Sequence, residues 1–143
     1  MSIRAVEKVK SLKVSDVMRK NVVTIDGSAT VSEAVALMRK RQVSSLLVNR
    51  RTHDDAWGML VRKDVVSKVI DPGKDPDKVK VFEIMTKPVI MVSPGLAVKY
   101  CARLMNQSGI RRAPVFDGKN VIGIISNSHI FAALPVKSLV KKA

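Results

Sequence analysis

A chain of 143 residues is the size of one domain, or of two small units that share a core. Its 46% hydrophobic content supports a packed interior and excludes global disorder, while 3% aromatic content leaves almost nothing on which to stack nucleic-acid bases. The single cysteine, Cys101, excludes an internal disulfide and a cysteine metal cluster, and the formal charge of +14 points to anionic partners. No apolar run reaches the roughly 18 residues of a membrane span, and the N-terminus lacks the apolar stretch of a secretory signal. The expectation is a cytoplasmic protein with no membrane partner. The 26 Lys and Arg are spread along the sequence, densest at Arg39-Lys40-Arg41, Arg50-Arg51, Arg62-Lys63, Arg111-Arg112 and the tail Lys137, Lys141 and Lys142. This pattern predicts a dispersed basic surface with one or two functional anion sites.

In chain order, Val14 to Met18 forms a short amphipathic segment, and Asn21 to Ile25 is β-branched and extended. The turn Asp26-Gly27-Ser28 follows. Thr30 with Glu33 three residues on predicts a capped helix start, and Val31, Ala34, Val35, Leu37 and Met38 recur at helical spacing. Val43 to Val48 reads as a buried strand, Arg50 to Asp55 as a polar loop and Trp57 to Val61 as a third strand. A helix begins near Lys63-Asp64 and stops at the polar, Pro-rich linker Asp71 to Asp77. The whole order then returns. At an offset of 67 residues, Val14 falls on Val81, Met18 on Met85, Val22 on Val89, Val31 on Val98, Leu37-Met38 on Leu104-Met105 and Val48 on Val115. After a loop two residues shorter, Gly58 falls on Gly123. In the second copy Pro88 to Val92 is the first strand, Val98, Cys101, Ala102, Leu104 and Met105 mark the helix, and Asp117 to Asn120 is a hairpin turn. Residues 14–67 and 81–134 are therefore two copies of one unit, ordered strand, helix, strand, strand, helix.

The Val-Met pairs opening each copy carry a resemblance, as does Gly-Ile-Arg-Arg-Ala-Pro-Val from Gly109 to Val115. So do the strand-to-helix stretches Gly58 to Asp64 and Gly123 to His129. Together they resemble the tandem CBS (cystathionine-β-synthase-type) domain pair, or Bateman module. The resemblance implies an α/β (α+β) fold of two CBS units packed about a pseudo-twofold axis. The divisions are an N-terminal segment 1–11, a first unit 12–70, a linker 71–79, a second unit 80–134 and a basic tail 135–143. Such pairs commonly dimerise, bind adenine nucleotides in clefts between their units, and regulate rather than catalyse.

The family pattern at the third strand is a glycine, two apolar residues, Thr or Ser, two variable residues, then Asp or Asn. The hydroxyl and free backbone N–H groups hold phosphate, and the carboxylate takes the ribose diol. The first copy keeps the carboxylate, Asp64, with Val61 at the hydroxyl position. The second keeps the hydroxyl, Ser126, with His129 in place of the acid. By resemblance the main cleft combines Asp64 and Lys63 with Thr86, Val89, Ile90, Ile110, Arg111 and Arg112. A weaker second cleft combines Ser126 and His129 with Arg19, Val22, Val23, Val43 and Ser44. An arginine fork replaces the lost hydroxyl in the main cleft, although strand alternation sends Arg111 and Arg112 to opposite faces. Plainer readings stay open. Asp64 also suits a first-turn helix acid, Arg111 and Arg112 strand-end surface charge, Thr86 a turn, and His129 a helix start.

The function implied is a stand-alone regulatory protein that binds an adenine nucleotide between its units and signals energy state to a target protein. AMP, ADP or ATP is the expected regulatory ligand, no cofactor is required, and the protein is a homodimer. The alternative is a ligand-free dimeric scaffold. Third comes nucleic-acid binding through the basic surface, expected only as weak, non-specific polyanion binding. His53 and His129 are far apart and have no carboxylate cluster, so neither a metal site nor a catalytic constellation is expected.

Overall fold

The computed structural model describes residues 3–135, so Lys137, Lys141 and Lys142 lie outside the described residues. The elements in chain order are α1 (Ile3–Ser11), α2 (Val14–Val17), β1 (Thr24–Ile25), α3 (Val31–Arg41), β2 (Ser45–Val48), β3 (Gly58–Val61) and α4 (Arg62–Val65). A π-helical turn, Val66–Ile70, extends α4. Then come α5 (Val81–Ile84), α6 (Val98–Ser108), β4 (Arg112–Phe116), β5 (Val121–Ser126) and α7 (Asn127–Ala132). The fold is mixed α/β, as the resemblance implies.

The chain divides into two compact units that cut across the sequence repeat. A central unit holds Val22–Val89, and a composite unit holds Met1–Asn21 with Ile90–Ala143. In the central unit β1 runs parallel to β2, and β2 pairs antiparallel with β3, Leu46 opposite Leu60. Its core gathers Val31, Ala34, Met38, Leu46, Val48 and Leu60 together with Val79 at the end of the linker and Val81 and Ile84 from the start of the second copy. In the composite unit β4 pairs antiparallel with β5, Arg112 opposite Ser126. There Val98, Cys101, Met105, Ala113, Val115 and Ile125 enclose Val14 and Val17 from the start of the first copy. Each amphipathic opener thus completes the core built by the other copy's helix and strands. Removal of such Val and Ile side chains from water favours this by about 1.5–3 kcal/mol apiece.

The same backbone bonds secure both openers. Val81 N donates to Ala29 O and Val14 N to Leu96 O, each at 2.9 Å. Met59 and Thr86 exchange N–H···O bonds of 2.9 Å, and Ile124 and Arg19 exchange bonds of 2.8 Å. These approaches explain Gly58 and Gly123. A Cβ at 58 would lie 2.8 Å from Met85 Sδ, and one at 123 would lie 2.7 Å from Met18 Sδ and 2.9 Å from Arg19 O.

Local signals were mostly sound. Thr30 Oγ1 accepts from Glu33 N at 3.1 Å and caps α3. The first strands differ from expectation. Asn21 to Ile25 is a strand only at Thr24–Ile25, and Pro88 to Val92 makes a single parallel bridge, Val92 with Val115. Pro88 has no N–H to donate to a ladder, and β-propensity alone does not supply an edge to pair with.

Both long helices end in a left-handed residue, Gln42 (φ 54°) after α3 and Gly109 (φ 67°) after α6. Only glycine adopts this conformation without a Cβ penalty. Gln42→Gly is therefore expected to stabilise the protein by about 0.5–1 kcal/mol in urea unfolding. A loss of stability would show that the Gln42 side chain contributes more than its backbone costs.

Candidate functional site

The composite unit concentrates positive charge. Among the described residues it carries 11 Lys and Arg against Glu7, Asp16 and Asp117, a formal +8, whereas the central unit carries 12 against 9, a formal +3. Two of those three acids are engaged by backbone. Asp16 accepts from Lys13 N at 2.9 Å, and Asp117 accepts from Lys119 N and Asn120 N at 2.8 and 2.7 Å in the hairpin turn.

Within this unit the fold assembles Arg19, Arg112, Ser126 and His129. Arg19 is held against β5 by its two bonds to Ile124. Arg112 begins β4 opposite Ser126, the last residue of β5. Ser126 is 8% exposed and caps α7, its Oγ accepting from His129 N at 3.2 Å. A serine hydroxyl that accepts one bond still has its own proton to donate. His129 Nδ1 is buried without a partner. Burial, then Arg19 and Arg112, hold the imidazole below its ordinary pKa of 6.5, and hydrogen bonding to the Ile124 backbone opposes them. Both guanidiniums add positive potential at the imidazole, which favours an anion beside it.

The neighbouring residues fall into place differently. Arg111 is exposed and Arg112 half-buried, as strand alternation requires. The Arg111 carbonyl accepts from Asn127 N at 2.9 Å. Ile110 packs against the composite core, and Ile90 is exposed.

The central unit holds Asp64, Lys63, Thr86, Val89, Val22, Val23, Val43 and Ser44. Asp64 Oδ2 accepts from Val61 N at 3.1 Å, and Oδ1 lies 3.2 Å from Lys68 Nζ. Lys68 Nζ also donates to Ile84 O at 2.9 Å. Asp64 is thus the first-turn helix acid of the plainer reading, 13% exposed, and each carboxylate oxygen keeps a further lone pair. Lys63 is exposed. Thr86 is exposed and fixed through its backbone, and Val89 N donates to Trp57 O at 3.0 Å. Val23 belongs to the core.

Two features of this unit escaped the sequence. Asp55 lies 2.7 Å from Lys87 and 3.3 Å from Arg51, and these partners hold its carboxyl well below the usual range. A groove of about 960 Å³ runs between α3 and the α4 helix, lined by Val35, Val43, Ser44, Val65, Val66 and Ile70 among others. Val66 and Ile70 are 59% and 56% exposed there. The signal was present, since Val65, Val66, Val69 and Ile70 make that helix apolar on more than its core side.

The sequence pattern of the CBS domain matches residues 14–71 and 81–136. The chain belongs to the CBS domain family. It is a tandem CBS pair, and solved structures of other CBS proteins share its fold. A hexameric CBS-CP12 protein from bloom-forming cyanobacteria superposes with a TM-score of 0.84 at 43% identity, over 92% of this chain and 79% of that one. A putative signal-transduction protein with CBS domains from Burkholderia ambifaria gives 0.75 at 26%, over 92% and 96%. The CBS domain-containing protein YhcV of Bacillus subtilis is 29% identical over 79% of each chain. An uncharacterized protein of Methanopyrus kandleri is 34% identical over 88% of this CBS pair, which spans only 64% of that relative's length. Among the described residues, no helix is long and apolar enough to cross a membrane.

Proposed function

We propose that this CBS pair is a non-catalytic regulatory protein that binds an adenine nucleotide and reports energy state to a target protein. The observation that carries this reading is the grouping of Arg19, Arg112 and the Ser126 hydroxyl in one unit, whose described residues have a formal charge of +8. A guanidinium matches a phosphate in shape and charge, and the serine proton adds a directed donor. Thermal unfolding and titration calorimetry with AMP, ADP and ATP test the reading. A bound nucleotide at a hundred times its Kd stabilises by about 2.7 kcal/mol. With no heat and no stabilisation from any of the three, the ligand-free scaffold takes its place. Binding to duplex DNA is expected only at low salt and fades steeply as salt rises.

The same proposal includes self-association through the apolar groove of the central unit. A second copy would remove Val66 and Ile70 from water, and the CBS-CP12 relative is itself a hexamer. Light scattering is expected to give at least a dimer for the wild type and a monomer for Val66→Asp/Ile70→Asp. An unchanged mass in the double variant would place the interface elsewhere.

A further inference from the structure

We propose that the central unit holds a separate ligand site, for a small monocarboxylate with an apolar body, in the cavity at the C-terminal end of β2, where Arg50 binds the carboxylate. All its lining residues lie in the central unit, so it shares none with the grouping of Arg19, Arg112 and Ser126 and does not rest on the nucleotide reading.

The cavity has a volume of about 680 Å³, within the range of about 300–1,000 Å³ of small-molecule sites. Three stretches of the chain build it. The turn after β1 supplies Asp26, Gly27 and Ser28. The end of β2 and the loop after it supply Val48 to Arg51, and the second opener supplies Phe82, Met85 and Lys87. Phe82 N donates to Gly27 O at 3.0 Å and Asn49 Nδ2 to Asp26 Oδ1 at 3.0 Å, so the turn is fastened to both neighbours. Val48, Phe82 and Met85 form an apolar wall, and Phe82 is 57% exposed. An aromatic ring left that far in water on the wall of a cavity gains by being covered.

Arg50 decides what covers it. It is half-buried, yet among the described residues it has no carboxylate partner. Its guanidinium lies over the Trp57 ring at 4.9 Å, and Nη1 donates to His53 O at 3.1 Å. These contacts orient the group and leave the rest of its N–H fork for an acceptor. A partly buried cation that is oriented but lacks a counter-charge favours an anion. The surrounding charge then sets how many negative charges fit. Lys87 and Arg51 also line the cavity, and both bond Asp55, at 2.7 and 3.3 Å. With Asp26 on the wall, three cations meet two acids, a surplus of one positive charge. A single carboxylate balances it. The several charges of a nucleotide's phosphates exceed it and are repelled by Asp26 and Asp55.

Trp57 is the chain's single tryptophan, and its stacking with Arg50 makes it the reporter. The test titrates 3-phenylpropionate, benzoate and 4-methylpentanoate, each to about 10 mM, while NMR follows the Trp57 indole N–H. The primary amide of each acid is the uncharged control. Expected is a saturable shift with at least one acid, and binding of its amide about tenfold weaker or more. This comparison uses the wild type alone and needs no variant to fold. Arg50→Gln should weaken the acid about ten- to a hundredfold, the effect of losing a charged hydrogen bond. Phe82→Ala should weaken acid and amide alike. Lys40→Gln, which removes the same charge from the exposed end of α3, should leave binding as it is. If no acid shifts Trp57 saturably, if the amides bind as well as the acids, or if Lys40→Gln costs as much as Arg50→Gln, the carboxylate site is overturned. If ADP shifts Trp57 as the acids do, the cavity belongs to the nucleotide, and this proposal fails while the nucleotide reading stands.

Discussion

Gly123→Ala is expected to destabilise the protein by about 2–3 kcal/mol, and Gly58→Ala by about 1 kcal/mol. Both glycines begin the stretch where an opener crosses the third strand, but their neighbours differ in freedom to move. At 123 the new methyl would sit 2.9 Å from the Arg19 carbonyl, which is held by the 2.8 Å bond from Ile124 N. That oxygen cannot retreat without losing a short backbone bond. At 58 the closest atom is the end of the Met85 side chain at 2.8 Å, and the Thr86 carbonyl is 3.3 Å away. A methionine swings aside at small cost. Urea unfolding of the two variants measures the difference. A cost at 123 equal to or smaller than that at 58 would sink this account of why the family motif begins with glycine. Because Arg19 is anchored by the same bond, Gly123→Ala should also disturb the phosphate site, and Gly58→Ala should not.

Arg112→Ala is expected to weaken ADP binding roughly ten- to a hundredfold, the effect of losing a charged hydrogen bond of about 1.5–3 kcal/mol. Arg111→Ala is expected to change it little, because Arg111 is exposed on the other face of the strand. The neighbours share charge and flexibility, so a long-range field effect would reduce binding similarly in both, whereas a direct contact separates them. Titration calorimetry at low and at physiological salt reads this out, with melting curves to confirm that each variant is folded. Equal losses at both positions would reduce the site to general attraction by the basic unit. Asp64→Ala is a different case, since it removes the bond from Val61 N and the Lys68 pair within the central unit. Its effect on affinity has to be judged beside its effect on stability.

Much of the fold was legible from the sequence because its signals are local. The Thr30 cap, the helical spacing from Val31 to Met38, the Asp117 turn and the repeat itself are statements about neighbours in the chain, and the structure contains each of them. The resemblance added the family. Tertiary structure decided what depends on distant partners. Val14 and Val17 have the pattern of a segment that buries one face, but nothing in that pattern says which core receives them, and they complete the second copy's core. That exchange changes the site. It carries Arg19 to Ile124, in the unit that holds His129, and among the described residues that unit gathers 11 cations with 3 acids against 12 with 9 in the other. An evenly basic sequence thereby becomes an unevenly charged molecule. Periodicity records which residues seek the interior, while pairing across 100 residues is set by which backbone edges and apolar faces remain open after the local elements have formed.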